Sequence, residues 1–171
     1  MSNFQESIYV NEILEYKLPR YQEIPDIDLY MDQIVSLMHK YLDTLEGNKN
    51  EKFITSNMIN NYVKQKLLPK PIKKKYNRDH IVYLLIICLL KQIISIQEIQ
   101  DFFSLKQNQA IGEIYNYLCD ILEHTLQITF TNTKETKIKA IEDDNQLIHA
   151  CALAFSNKIY IQKKLQYLKT K

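Results

Sequence analysis

Glycine is nearly absent: Gly47 and Gly112 are the only two in 171 residues. Antiparallel sheets need glycine at their positive-φ turns. This scarcity, together with abundant leucine, isoleucine, lysine and glutamine, therefore predicts a mainly α fold in which any sheet is small. A glycine-rich phosphate loop is excluded on the same ground. Cysteines are few and scattered: Cys88, Cys119 and Cys151 are odd in number and sit in apolar settings such as LLIICLL and NYLCDIL, with no CxxC. That pattern argues against a disulfide framework or a metal site and predicts reduced core thiols in a cytoplasmic protein. Long apolar runs are also missing. The longest, Ile81 to Leu90, has 10 residues, short of the roughly 20 that a bilayer requires, so no membrane partner is expected. Glu6, Glu12 and Glu15 interrupt the layout of a signal peptide.

What the chain does have is charge that is unevenly placed. The formal net charge is only +2, yet residues 1 to 50 carry nine acids against four bases. The stretch from Lys64 to Arg78 then carries seven positive side chains (Lys64, Lys66, Lys70, Lys73, Lys74, Lys75, Arg78) and no acid. With 46% hydrophobic residues, the length suffices for one well-buried core or for a small head with a helical appendage.

Along the chain, residues 1 to 25 show no sustained period and read as a partly ordered arm packing through Ile8, Ile13, Leu14 and Leu18. Asp26 or Asp28 can cap a first amphipathic helix carrying Leu29, Ile34, Leu37, Met38, Tyr41, Leu42 and Leu45, with Gly47 as its left-handed stop. Thr55 or Ser56 can cap a second, in which Met58, Ile59, Tyr62, Val63 and Leu67 face inward. Pro69 and Pro71 forbid helix, so LLPKPIKKKY is expected as two short edge-like strands or an irregular loop. Asn77 can cap a third helix from Arg78 to about Ile93. Ser95 and Glu98 form a capping box for a fourth, which carries Ile96, Ile99, Phe102 and Phe103. A fifth helix runs from Ile111 to about Leu126, Ile128 to Thr133 reads as a connection, and a final helix spans about Asn145 to Leu168. Three parts follow: the arm over 1–25, a helical head over 26–106, and C-terminal helices over 107–171 for dimerisation or effector binding, packed on the head as one unit.

The polar face of the second helix points to chemistry. Asn57, Asn60, Asn61, Lys64 and Gln65 can read base edges in a major groove, since amides pair bidentately with adenine and an amine reaches guanine or phosphate. Lys70, Lys73, Lys74, Lys75, Tyr76 and Arg78 would contact the phosphate backbone, supplying affinity and salt dependence. MINNYVKQKLLP, then KKKYNRDHI, then IISIQEIQDFF resembles the winged helix-turn-helix head of MerR-like transcriptional regulators. In that family a TIRYYERxGLLxP-type helix enters the major groove, a wing with a basic-Arg-Tyr ending follows, and then come two helices, the second opening with serine and a Glu-Ile pair. Ile59, Tyr62, Leu67, Leu68, Pro69, Tyr76, Ser95, Glu98 and Ile99 stand at the matching positions. Lys66 replaces the usual glycine, the wing is short or degenerate, and Asn60 and Asn61 replace the Arg-Tyr pair. Over most of its length the chain resembles an uncharacterised bacterial family described only as a domain of unknown function.

The resemblance implies a transcriptional regulator that binds double-stranded DNA, forms a homodimer through Gln109 to Ile128 and Asn145 to Leu168, and answers to a small-molecule effector of unidentified chemistry. No catalysis, cofactor or metal is expected. His39, His80, His124 and His149 are dispersed, and Glu142, Asp143 and Asp144 read as an acidic helix start. The competing reading is a helical protein-protein interaction module in which Glu23, Asp26, Asp28 or Asp32 cover Lys73 to Lys75 and leave the helix-turn-helix occluded or vestigial. RNA binding would call for aromatic stacking, and the basic segment offers only Tyr62 and Tyr76.

Overall fold

Helix-forming sequence dominates the computed structural model, in which residues 3–46, 52–133 and 143–170 are described. Among these residues seven α-helices follow one another: α1 (Ile8–Glu15), α2 (Met31–Leu42), α3 (Ser56–Lys64), α4 (Arg78–Leu90), α5 (Ile96–Leu105), α6 (Ile111–Thr131) and α7 (Asp143–Lys169). Single 3-10 turns add Phe4–Glu6, Tyr21–Glu23 and Asp43–Leu45. The fold is mainly helical, as glycine scarcity predicts. No strand forms among the described residues; isolated antiparallel bridges pair Leu29 with Tyr76 and Ile72 with Lys75.

The apolar run becomes α4, which is buried almost all round, with Ile81, Leu84, Leu85, Ile86, Ile87 and Cys88 each at 0% exposure. A helix with no polar stripe belongs in the middle of a core. Against it pack α2 and the pair α6 and α7, and a buried hydrogen bond of 2.8 Å joins Thr125 to Ser156 between those last two helices. The three cysteines are buried and free, and burial pushes the Cys88 and Cys119 thiols up to about 12. No helix of the described residues is long and apolar enough to cross a membrane.

Several boundaries differ from expectation for identifiable reasons. The arm is folded: Phe4, Val10, Ile13, Leu18 and Ile24 are buried, whereas Ile8 is 66% and Leu14 37% exposed. Tyr30, not Asp26 or Asp28, caps α2, with the Gln33 side chain accepting from the Tyr30 N–H at 2.9 Å. The helix ends at Leu42 in a 3-10 turn, and the expected stop at Gly47 lies outside the described residues. Ile128 to Thr131 continue α6 instead of forming a connection, because the buried Phe130 extends the helical stripe, and Asn132 stops it at φ 53°.

The arm is held by a clasp on α6. The Arg20 guanidinium bridges Asp120 and Glu123 at 2.8 Å each, and Lys17 reaches Glu123 at 2.7 Å. The Tyr21 ring lies against Gly112, where a Cβ would stand 2.8 Å from ring carbons. Its N–H donates to the Asn116 side chain at 2.8 Å, and its hydroxyl donates to Asp79 on α4 at 2.7 Å. One tyrosine thus ties the arm to two helices, and Gly112 supplies the space.

Candidate nucleic-acid interface

α3 begins at Thr55, whose hydroxyl accepts from the Met58 N–H at 3.3 Å, satisfying one of the unpaired amides of the first turn. Ile59 and Tyr62 are buried on one side, while Asn57, Asn60, Asn61, Lys64 and Gln65 are exposed on the other. Their spacing of i, i+3, i+4, i+7 and i+8 makes a single helical face. The helix ends in a Schellman motif: Lys66 takes φ 57°, its N–H donates to Val63 O at 3.1 Å, and the Leu67 N–H donates to Tyr62 O at 2.9 Å. A left-handed position that glycine would ordinarily take is filled here by a lysine. The Gln100 side chain of α5 donates to Gln65 O at 2.9 Å, fixing the end of α3.

Leu67 and Leu68 are buried, and the chain then runs through Pro69 and Pro71 to a two-residue hairpin. Ile72 and Lys75 exchange both backbone hydrogen bonds, at 3.0 and 2.9 Å. Lys73 and Lys74 between them sit at φ 49° and 65°. Positive φ at both central residues is the type I′ geometry that suits the twist of a hairpin and that Asn-Gly ordinarily occupies. Lys70, Lys73 and Lys74 are exposed and Lys75 is half-buried, its ammonium 5.1 Å from the centre of the Tyr30 ring. Three contacts brace the base. Tyr76 and Leu29 exchange hydrogen bonds at 2.8 Å each, Arg78 Nε donates to Ile24 O at 3.0 Å, and His80 Nε2 lies 3.2 Å from Lys70 O. His80 Nδ1 in turn lies 3.1 Å from the Asn77 backbone N and 2.7 Å from Asn77 Oδ1.

Two of the expected phosphate contacts change role. Tyr76 is 3% exposed, with its ring edge-on to His80 at 5.4 Å, and offers no surface to a phosphate. Arg78 holds Ile24 O, pairs with Asp26 at 3.7 Å and lies 5.2 Å from the centre of the Tyr21 ring, so it serves as a brace. The Leu29 bridge brings the acidic segment beside the hairpin, but no ion pair joins Glu23, Asp26, Asp28 or Asp32 to Lys73, Lys74 or Lys75 among the described residues. The lysine tip stays open.

Sequence reasoning missed the groove of about 790 Å³ between the end of α3 and α5, where Gln65, Lys66 and Lys70 face Gln97, Gln100 and Ser104 over a floor that includes Phe103. No motif announces it, because its walls are separated by about 30 residues. The helices expected to form a dimer seam bury Leu118, Leu122, Ile148 and Phe155 within the chain, leaving Ile161, Leu165 and Leu168 more than half exposed.

Residues 19–118, more than half of the chain, match a family described as a domain of unknown function, DUF1836. The chain belongs to the DUF1836 family. No curated protein and no solved structure matches it. The DUF1836 span starts at Pro19 and ends at Leu118. It therefore takes in Tyr21, Gly112 and Asn116 as well as α2 to α5, whereas Lys17, Asp120 and Glu123 of the clasp lie outside it.

Proposed function

We propose that the protein is a DNA-binding transcriptional regulator without catalytic activity, with a MerR-like head whose wing is reduced to the Ile72–Lys75 hairpin. In this reading α3 lies in the major groove, where Asn57, Asn60, Asn61, Lys64 and Gln65 meet base edges, and Lys70, Lys73, Lys74 and Lys75 hold phosphate. Homodimerisation is part of the proposal.

One observation carries it. Two consecutive lysines occupy left-handed backbone at the tip of a braced hairpin, exposed and without ion pairs among the described residues, where glycine or asparagine would be less strained. Strain kept at such a place is a marker of function, and two cations presented on a rigid turn suit a polyanion. The order of elements, a polar helix, a basic hairpin, an apolar helix and a Ser95-capped helix, agrees with the reading.

The test is fluorescence anisotropy with genomic duplex fragments, including the region upstream of the protein's own gene, at two salt concentrations. Salt-sensitive binding with one fragment preferred is expected. Lys73→Ala with Lys74→Ala should flatten the log-affinity against log-salt slope by about 0.9 per lost phosphate contact. Asn60→Ala should remove discrimination of about 1–3 kcal/mol while sparing most non-specific affinity. No binding at low salt would sink the proposal and favour the interaction-module reading.

A further inference from the structure

The groove between the end of α3 and α5 has a volume of about 790 Å³, within the range of small-molecule sites. Its two walls differ in chemistry. On the α3 side stand Lys66 and Lys70, both exposed and neither in an ion pair among the described residues. On the α5 side Gln97, Gln100, Asp101 and Ser104 recur at three and four residues, so a single polar stripe of that helix lines the groove. Gln97 donates to the Asp101 carboxylate at 3.2 Å and Gln100 donates to Gln65 O at 2.9 Å, which leaves both amide oxygens to accept. The Gln100 bond also ties one wall to the other, so the groove is formed before any ligand arrives. Between the walls, Tyr83 and Phe103 are half-buried with their ring centres 5.1 Å apart. Lys66 is in addition the residue held at φ 57°, and backbone strain kept in the lining of a groove is a marker of function.

We propose that this groove binds a free purine nucleotide, with its phosphate between Lys66 and Lys70, its base against Phe103 and Tyr83, and the amino group of the base on the oxygens of Gln97, Gln100 and Asp101. Each part of the site calls for one part of the ligand. Two ammonium groups suit a dianion better than a single carboxylate. A half-buried aromatic pair suits a planar ring, and a wall of acceptors calls for donors at the far edge of that ring. Inorganic phosphate satisfies only the first of these, and an apolar molecule only the second. Gln65 and Lys70 also belong to the proposed duplex face, so nucleotide and duplex compete for them and the nucleotide releases DNA. Lys66 is not among the duplex contacts. The competition rests on the DNA-binding reading; nucleotide binding does not.

The experiment is isothermal titration calorimetry of the full chain with AMP and GMP, compared with adenosine, inorganic phosphate and a short single-stranded oligonucleotide. AMP or GMP should bind with a Kd below about 1 mM, and adenosine and inorganic phosphate about tenfold more weakly or less. Lys66→Gly removes one cation and relieves the left-handed backbone, so the variant stays folded, and it should weaken nucleotide binding about tenfold or more. K73A/K74A should bind nucleotide as wild type does, because the hairpin tip does not line the groove. Melting temperatures confirm that each variant is folded. No binding of either nucleotide, unchanged binding by Lys66→Gly, or loss of binding in K73A/K74A overturns the proposal. So does a single strand that binds K73A/K74A more tightly than AMP and GMP do, since the groove would then belong to nucleic acid. Duplex anisotropy with added AMP or GMP reads the competition: affinity should fall in wild type and hold in Lys66→Gly. A chain that binds nucleotide but no duplex overturns the DNA-binding reading alone, and one that binds duplex but no nucleotide overturns this proposal alone.

Discussion

Replacing Lys73 and Lys74 by Asn and Gly tests structure and function in one molecule. A left-handed conformation costs an L-residue roughly 1–2 kcal/mol, eased for asparagine by its short polar side chain and removed for glycine. Glycine returns about 0.5–1 kcal/mol of that in chain entropy. With both residues at φ 49° and 65°, the K73N/K74G variant should gain about 1–2 kcal/mol, which for a chain of this size raises Tm by about 2–8 °C. Duplex binding should weaken in the same variant, with the salt slope falling by about 1.8 for two phosphate contacts. Lys66→Gly is the control, since Lys66 has φ 57° at the end of α3 and no assigned phosphate. It should stabilise by about 0.5–1 kcal/mol and leave the slope unchanged. Thermal unfolding by circular dichroism and anisotropy titrations read both quantities. A K73N/K74G variant no more stable than wild type would refute the strain argument, and an unchanged slope would refute the phosphate assignment.

Tyr62→Phe should raise stability by about 1 kcal/mol in urea, because the Tyr62 hydroxyl is buried without a hydrogen-bond partner among the described residues and such a group is costly to bury; a loss would show that the hydroxyl is paired in solution. Gly112→Ala should cost about 1–3 kcal/mol, since the new Cβ would press on the Tyr21 ring at 2.8 Å, and a neutral result would mean that Tyr21 is not seated on α6. Burial works to raise the Glu123 carboxyl, but the hydrogen bonds from Arg20 and Lys17 outweigh it and hold it below the usual carboxylate range. A depressed folded value gives stability that is present above the unfolded pKa and is lost as pH falls through the folded one. Glu123→Gln should therefore cost about 1–2 kcal/mol near neutral pH and flatten the acid limb below about pH 4.5. An unaltered acid limb would remove Glu123 from the clasp.

Helices α3, α4 and α5 were legible because their signals are local: Thr55, Asn77 and Ser95 each accept a backbone N–H three residues ahead. Periodicity did the same for the inward face of α3, where Ile59 and Tyr62 are buried. The arm was not legible. Its 3-10 turns have no 3.6-residue period, and its partners on α6 lie about a hundred residues away, so nothing near Arg20 or Tyr21 in sequence announces Asp120 or Gly112. Tyr76 and Arg78 were misjudged for a related reason. Within KKKYNRDHI they share the composition of a phosphate-binding loop, and only the tertiary contacts with Leu29, His80 and Ile24 turn them inward.

That inward turn decides what the lysines can do. A surface loop of lysines pays side-chain and backbone entropy when it meets a polyanion, and the cost grows with each residue that must be fixed. Here the backbone is fixed beforehand: His80 holds Lys70 O, Leu29 holds Tyr76, and Arg78 holds Ile24 O. Only the lysine side chains remain to be ordered. Removing one brace should therefore weaken phosphate binding while leaving every lysine in place. His80→Ala, which frees Lys70 O and the Asn77 N–H, is expected to lower duplex affinity several-fold with an unchanged salt slope, since the number of phosphate contacts stays the same. A slope that falls along with affinity would mean that the hairpin had moved off the backbone altogether, and that the brace positions the lysines instead of only pre-ordering them.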